Sequence, residues 1–336
     1  MLITYLFGAG ASCEVLPLVD GIPSSMYALC LRLQEYSGQI DAKLEIELKL
    51  LINDIKELSA EAADHASIDT YARKLFLTGN KEKLVWLKRV LSFYFLLEQF
   101  FLEGKTDKRY DLFWASLAGK TSQDLPKNVR ILSWNYDLQF ELSFCNYIPQ
   151  KKFDDVQSIL GVVEKINDKK KGEVIDHFGI YKLNGTANTI KDFDGPFIND
   201  AYILDEIKKG ITIEELNKFL KTSAFLRNNK KSKMSLSFAW ENEEYKSSFQ
   251  KSISELIKEE ISVTEILIII GYSFPYFNRK IDREFICSMK LKKIYIQDKN
   301  PDPIIDTLRS IIGDNENLQI KKVSVSKQFF LPPELD

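Results

Sequence analysis

Ile3-Thr4-Tyr5-Leu6-Phe7-Gly8-Ala9-Gly10-Ala11-Ser12 changes character at its midpoint. The first half is apolar, β-branched and aromatic, and reads as a buried strand. The second half is nearly bare backbone, so it reads as a strand-to-helix turn that a ligand can approach closely. A helix opening behind it would aim its N–H groups and the positive end of its dipole at an anion, and a pyrophosphate is the natural guest. Gly8, Ala9, Gly10 and Ser12 are the candidate contacts. The pattern is not the usual dinucleotide fingerprint. Cys13 stands where G-x-G-x-x-G would have its third glycine, and no strand ending in Asp or Glu follows about 20 residues later. A tight turn without a ligand is the competing explanation.

Outward from this turn, strand-like runs appear at Leu2–Phe7, Val129–Ser133, Phe178–Leu183, Glu265–Ile270, Lys293–Gln297 and Leu318–Val325. They are short, apolar and β-branched, with helical segments between several of them. That predicts an α/β fold with a doubly wound, Rossmann-like parallel sheet covered on both faces. The whole of 1–336 reads as a single domain. It carries a helical insertion over 24–117 and a second variable region over 188–258. The latter holds a helix at Thr212–Lys221 and a Lys/Asn run, Asn228–Lys233, expected to be a solvated loop.

Charge is balanced at 46 basic against 48 acidic residues, which leaves no global footprint for nucleic acid or an anionic membrane. Cys13, Cys30, Cys145 and Cys287 form no C-x-x-C pair, so neither a zinc ribbon nor any other metal site is expected, and the thiols should be reduced. The start of the chain reads as strand rather than signal peptide. The most apolar stretch, Val85–Leu102, is interrupted by Lys88, Arg89, Glu98 and Gln99, and reads as a buried helix rather than a membrane span. A soluble, cytoplasmic protein is the expectation.

The strand ends carry the polar chemistry. They read Ser133-Trp134-Asn135-Tyr136-Asp137, Tyr181-Lys182-Leu183-Asn184-Gly185-Thr186, Gly271-Tyr272-Ser273 and Gln297-Asp298-Lys299-Asn300-Pro301. Ligands of open α/β sheets bind beyond the carboxyl ends of the strands, so these loops and the glycine turn describe one pocket. Each also has a local explanation: Asn135 and Asp137 as helix caps, Ser273 as a turn former, Asp298 and Asn300 as an Asx-turn before Pro301.

In this order the loops resemble the NAD-contacting loops of the sirtuin family. The chain is most similar to bacterial defence-associated sirtuin-like proteins, through Gly8–Ser12 leading to Leu16-Pro17 and Pro23 and through Ser67-Ile68-Asp69-Thr70-Tyr71 in the helical insert. The resemblance implies NAD+ as substrate, cleaved to nicotinamide and ADP-ribose to deplete the cell during phage infection. It places Asn135 and Asp137 at the nicotinamide ribose, and Gly271, Ser273, Asp298 and Asn300 on the adenosine side. It also implies an oligomer or a regulatory partner that gates activity, with the aromatic helix Val85–Leu102 and the insert as a candidate surface.

One position departs from the family, which has histidine where Asn184 stands. Nicotinamide leaves NAD+ as a neutral group and needs no general acid, whereas the hydroxyl or water that captures the ribose must lose a proton. Imidazole accepts that proton near neutral pH; a carboxamide holds the same oxygen but cannot. Losing such a base costs roughly 10²–10⁴-fold in rate, so binding with poor turnover is expected. Asn184 is either native, making a non-catalytic NAD or ADP-ribose sensor, or an engineered substitution in an otherwise intact site; the intact neighbouring residues favour the second. Of the two histidines, His177 should sit at the far end of its strand and His65 in a capping role. A protein deacylase is disfavoured by the missing zinc module, and a dehydrogenase by the missing third glycine and ribose-binding acid.

Overall fold

The computed structural model describes residues 1–101, 106–163, 178–191, 200–202, 211–229, 232–241, 248–313, 315–325 and 327–335. At its centre lies a seven-stranded sheet in the order β10-β9-β8-β1-β2-β4-β3. The strands are β1 (Leu2–Phe7), β2 (Val129–Ser133), β3 (Val162–Val163), β4 (Gly179–Lys182), β8 (Thr264–Ile270), β9 (Lys293–Gln297) and β10 (Gln319–Val323). Every pairing in it is parallel. A second, antiparallel sheet joins β5 (Thr189–Lys191), β6 (Asp200–Tyr202) and β7 (Lys233–Met234).

All six residues of β1 are buried, because a central parallel strand is covered on both faces. Alternate residues serve opposite cores. Ile3, Tyr5 and Phe7 pack with Ile131, Ile268 and Ile270, while Leu6 packs with Leu132, Leu267 and Ile269. The first face is covered by aromatic side chains, among them Tyr110, Phe113, Trp114 and Phe140. The other is covered by Ile257, Phe285, Ile304 and Leu308. This is a three-layer, Rossmann-like α/β arrangement.

A third core lies off the sheet. It is built by α1 (Ile22–Gln34), α2 (Glu45–Ala63), α3 (Ile68–Leu77) and α4 (Lys81–Phe101), with α7 (Ile213–Asn228) and Phe238 packed against them. α4 contributes Leu87, Val90, Leu91, Phe93, Tyr94, Leu96 and Leu97, each almost wholly buried. The apolar face of the aromatic helix is therefore interior, while Val85 near its start is exposed; Leu102, its expected last residue, lies outside the described residues.

Four other expectations change. No α-helix follows the glycine turn directly: Ala9–Ser12 is a single 3-10 turn, and α1 begins only at Ile22. A helix continued from Gly10 would bury Pro17, which lacks the N–H for the bond to Cys13 and disfavours helical backbone at Leu16. Within 24–117, α5 (Lys108–Leu117) packs on the sheet through Tyr110, Phe113 and Trp114 rather than with the insertion. The helix expected at Thr212–Lys221 runs on to Asn228 from a Thr212–Glu215 capping box. Lys233, at the end of the expected loop, opens β7, and residues 230–231 between them lie outside the described residues. So does His177. No helix among the described residues is long and apolar enough to cross a membrane.

Candidate active site

The strand order reverses at β1. The chain runs outward through β2 to β4, then returns to lay β8 on the other side of β1. Such a switch point opens a crevice beyond the strand ends. Here it holds a cavity of about 490 Å³ between the strand-end loops and the helical layer. The volume lies within the usual range of cofactor pockets.

Two backbones interlock on the cavity floor. Gly8 N–H donates to Ile270 O at 3.1 Å, and Gly10 N–H to Gly271 O at 2.9 Å. A Cβ on Gly8 would meet Gly271 O at 2.6 Å, and one on Gly10 would meet Gly271 Cα at 2.8 Å. These glycines are thus required by β8, and their N–H groups are not offered to a pyrophosphate. The Ala9 N–H takes no part in this stapling. Ser12 is committed too: its hydroxyl donates to Asp137 Oδ2 at 2.8 Å and lies 2.9 Å from Tyr110 Oη. From below, the Arg109 guanidinium donates to Ala11 O at 2.8 Å.

Beyond β2, Asn135 Nδ2 donates to Gly8 O at 3.0 Å. Asp137 Oδ1 accepts the Gln139 N–H at 3.1 Å, one of the open N–H groups at the start of α6 (Gln139–Cys145). Burial raises the Asp137 carboxyl above its ordinary range, although nearby Lys182 and the Ser12 hydroxyl pull it down. Lys182, at the end of β4, has its side chain wholly buried. Its Nζ donates to Asp137 O at 2.8 Å and lies 3.2 Å from Glu141 Oε2, also wholly buried. A lysine closing an apolar strand is the sequence signal for this prop.

Asn184 reaches the cavity wall from the turn after β4 and is 5% exposed. Its Nδ2 donates weakly to Trp134 O at 3.4 Å, and its Oδ1 has no hydrogen-bond partner among the described residues. Gly185 behind it has φ +69°, and a Cβ there would meet Ser235 O at 2.4 Å, so the turn is fixed in place. On the β8 side Tyr272 and Trp134 stack at 6.3 Å, and both donate to Asp282, at 2.7 and 3.1 Å. Burial pushes the Asp282 carboxyl up to about 7.

The cavity therefore gathers Gly8, Ala9, Gly10, Ser12, Asn135, Asp137, Asn184, Gly271, Ser273 and Asp298. Asn300 does not join them. It is exposed, and its N–H donates to Asp298 Oδ1 at 2.9 Å in the Asx-turn that opens the following helix. His65 also stands apart, with Nδ1 2.8 Å from Glu61 O at the end of α2; Ser67 is the residue that caps α3. The insertion adds Ser67 and Asp69 from the start of α3, and Leu91 and Phe95 from α4. Asp69, part of the Ser67–Tyr71 motif in the insert, lies in the first turn of α3 and lines the cavity. Among the described residues no His, Cys, Asp and Glu are grouped to hold a metal ion. No protein-family model matches the chain, and no curated protein matches it.

Proposed function

We propose that this cavity binds NAD+ and that the chain is built as an NAD+ glycohydrolase, releasing nicotinamide and leaving ADP-ribose, with turnover held down by Asn184. What supports this most is the Asn184 carboxamide. Its Oδ1 is a buried acceptor without a partner on the wall of a switch-point cavity. An unmade buried hydrogen bond costs about 1–3 kcal/mol, and a ribose hydroxyl donating to that oxygen would remove the penalty. The amide can hold and orient the hydroxyl. It cannot accept its proton near neutral pH, whereas imidazole at the same place can.

The remaining residues fit this division of labour. Asn135 and Asp137 fix the geometry of the glycine turn through Gly8 and Ser12, and Ala9 lines the cavity beside them. The lack of a base at position 184 also favours a second use of the same cavity, binding NAD+ or ADP-ribose as a non-catalytic sensor. A gating partner or self-association, and a role in depleting NAD+ during phage infection, belong to the hydrolase alternative.

Nicotinamide release should be followed on the chain as given and on Asn184→His, with NAD+ binding measured on both. The expectation is binding by both and release at least about 10²-fold faster from Asn184→His. Binding by both with release from neither selects the sensor. Binding by neither overturns the NAD+ assignment.

A further inference from the structure

The ionisable side chains on the cavity wall are of one sign. Asp20, Asp69, Asp137 and Asp298 line it, along with Tyr136 and Tyr272, and among the described residues no Lys, Arg or His does. Three of these carboxylates are accounted for. Asp137 is held by Ser12 and the Gln139 N–H beside Lys182. Asp298 closes its Asx-turn, and Asp20 is exposed at the rim.

Asp69 differs from them. It is half-buried in the first turn of α3, fixed there by the Ser67 cap, and it makes no ion pair among the described residues. Its charge is felt by Tyr136, the neighbour of Asn135, and by Tyr272. Burial pushes its carboxyl up to about 6, so it remains ionised at neutral pH. The same cavity holds the unpartnered Asn184 Oδ1, an independent mark of a missing ligand.

We infer that Asp69 is the specificity residue by which the helical insertion reads the charge of the ligand, favouring the oxidised, cationic nicotinamide ring of NAD+ over the neutral ring of NADH. This role holds only with NAD+ in the cavity, as proposed above. A half-buried carboxylate without a counter-ion is poorly screened, and a delocalised ring cation supplies the missing charge without a hydrogen-bond donor. Tyr136 and Tyr272, which also line the cavity, bring no positive charge of their own to compete with a bound cation. The reduced ring has the same shape and lacks the charge, so shape alone does not separate the two forms.

The test is calorimetric titration of the full chain at pH 8 with NAD+, NADH and ADP-ribose, repeated on Asp69→Asn and Asp69→Glu. The native chain should bind NAD+ about tenfold or more tighter than NADH, tenfold being 1.4 kcal/mol. Asp69→Asn should lose most of that ratio through weaker NAD+ binding, leave ADP-ribose binding undiminished, and be rescued by Asp69→Glu. Should Asp69→Asn fail to fold, Asp69→Ser carries the same comparison. Equal native affinity for NAD+ and NADH, or a ratio unchanged in the neutral variant, overturns the inference while leaving the NAD+ site standing. Failure of the native chain to bind any of the three overturns the site itself.

Discussion

Gly271 is the residue on which the cavity floor turns. Its φ is +58°, and a Cβ there would stand 2.4 Å from Ala11 N and from Gly10 C. Forcing a side chain into that backbone region costs of order 1–3 kcal/mol by itself, and the collision with the glycine turn adds to it. Gly38, at φ +78° with nothing within 4 Å of a Cβ, isolates the backbone part. Urea denaturation should show Gly271→Ala losing clearly more stability than Gly38→Ala, with ligand binding abolished only in the first. The sequence displayed Gly8 and Gly10 plainly. It could not display their reason, because the partner backbone at Gly271 comes from a distant strand. Asn184 was legible as a residue type in a strand-end loop, whereas its unpartnered oxygen depends on Trp134 and the turn at Ser235. Asp69 stood in a motif quoted for the insert, but only the fold brings the start of α3 to the cavity wall.

At the scale of elements, β4 and α6 are joined by the buried Lys182–Glu141 pair, which also carries the Asp137 carbonyl. Removing one member of such a pair costs about 3–5 kcal/mol, since desolvation of the other is no longer offset. Lys182→Met should therefore destabilise strongly in chemical denaturation. The double variant with Glu141→Gln should recover part of the loss, and a double-mutant cycle measures the coupling. Six strands of the parallel sheet were legible to within a residue or two, because β-branched apolar runs between polar loops have few other uses. The short edge strand Val162–Val163 and the three short strands of the antiparallel sheet gave no such run. The glycine pattern alone predicts a helix after Ser12, and Pro17 prevents it. Sequence shows that α5 is amphipathic but not which core receives it.

For the molecule as a whole, the pH dependence of stability should carry the mark of Asp282. Its folded carboxyl is raised to about 7 by burial, with the Tyr272 and Trp134 donors offsetting only part of that. A raised acid favours folding while protonated. Its contribution is complete below the unfolded carboxylate value near 4 and is lost as pH rises through about 7. Thermal unfolding between pH 5 and 8 should show stability falling with pH, and Asp282→Asn should flatten that trend and unfold later than the native chain at pH 8. The switch point has a consequence of another kind, for the order of assembly. Thr4 of β1 meets Thr264 of β8 across 260 residues, hydroxyl to hydroxyl at 2.7 Å. Distant pairings form slowly, and a strand with one neighbour missing offers a bare row of N–H and C=O groups to any other chain. Until β8 arrives, β1 is such an edge, so a nascent or truncated chain ending before Thr264 is the aggregation-prone species, and the cavity floor is among the last parts of the protein to come into being.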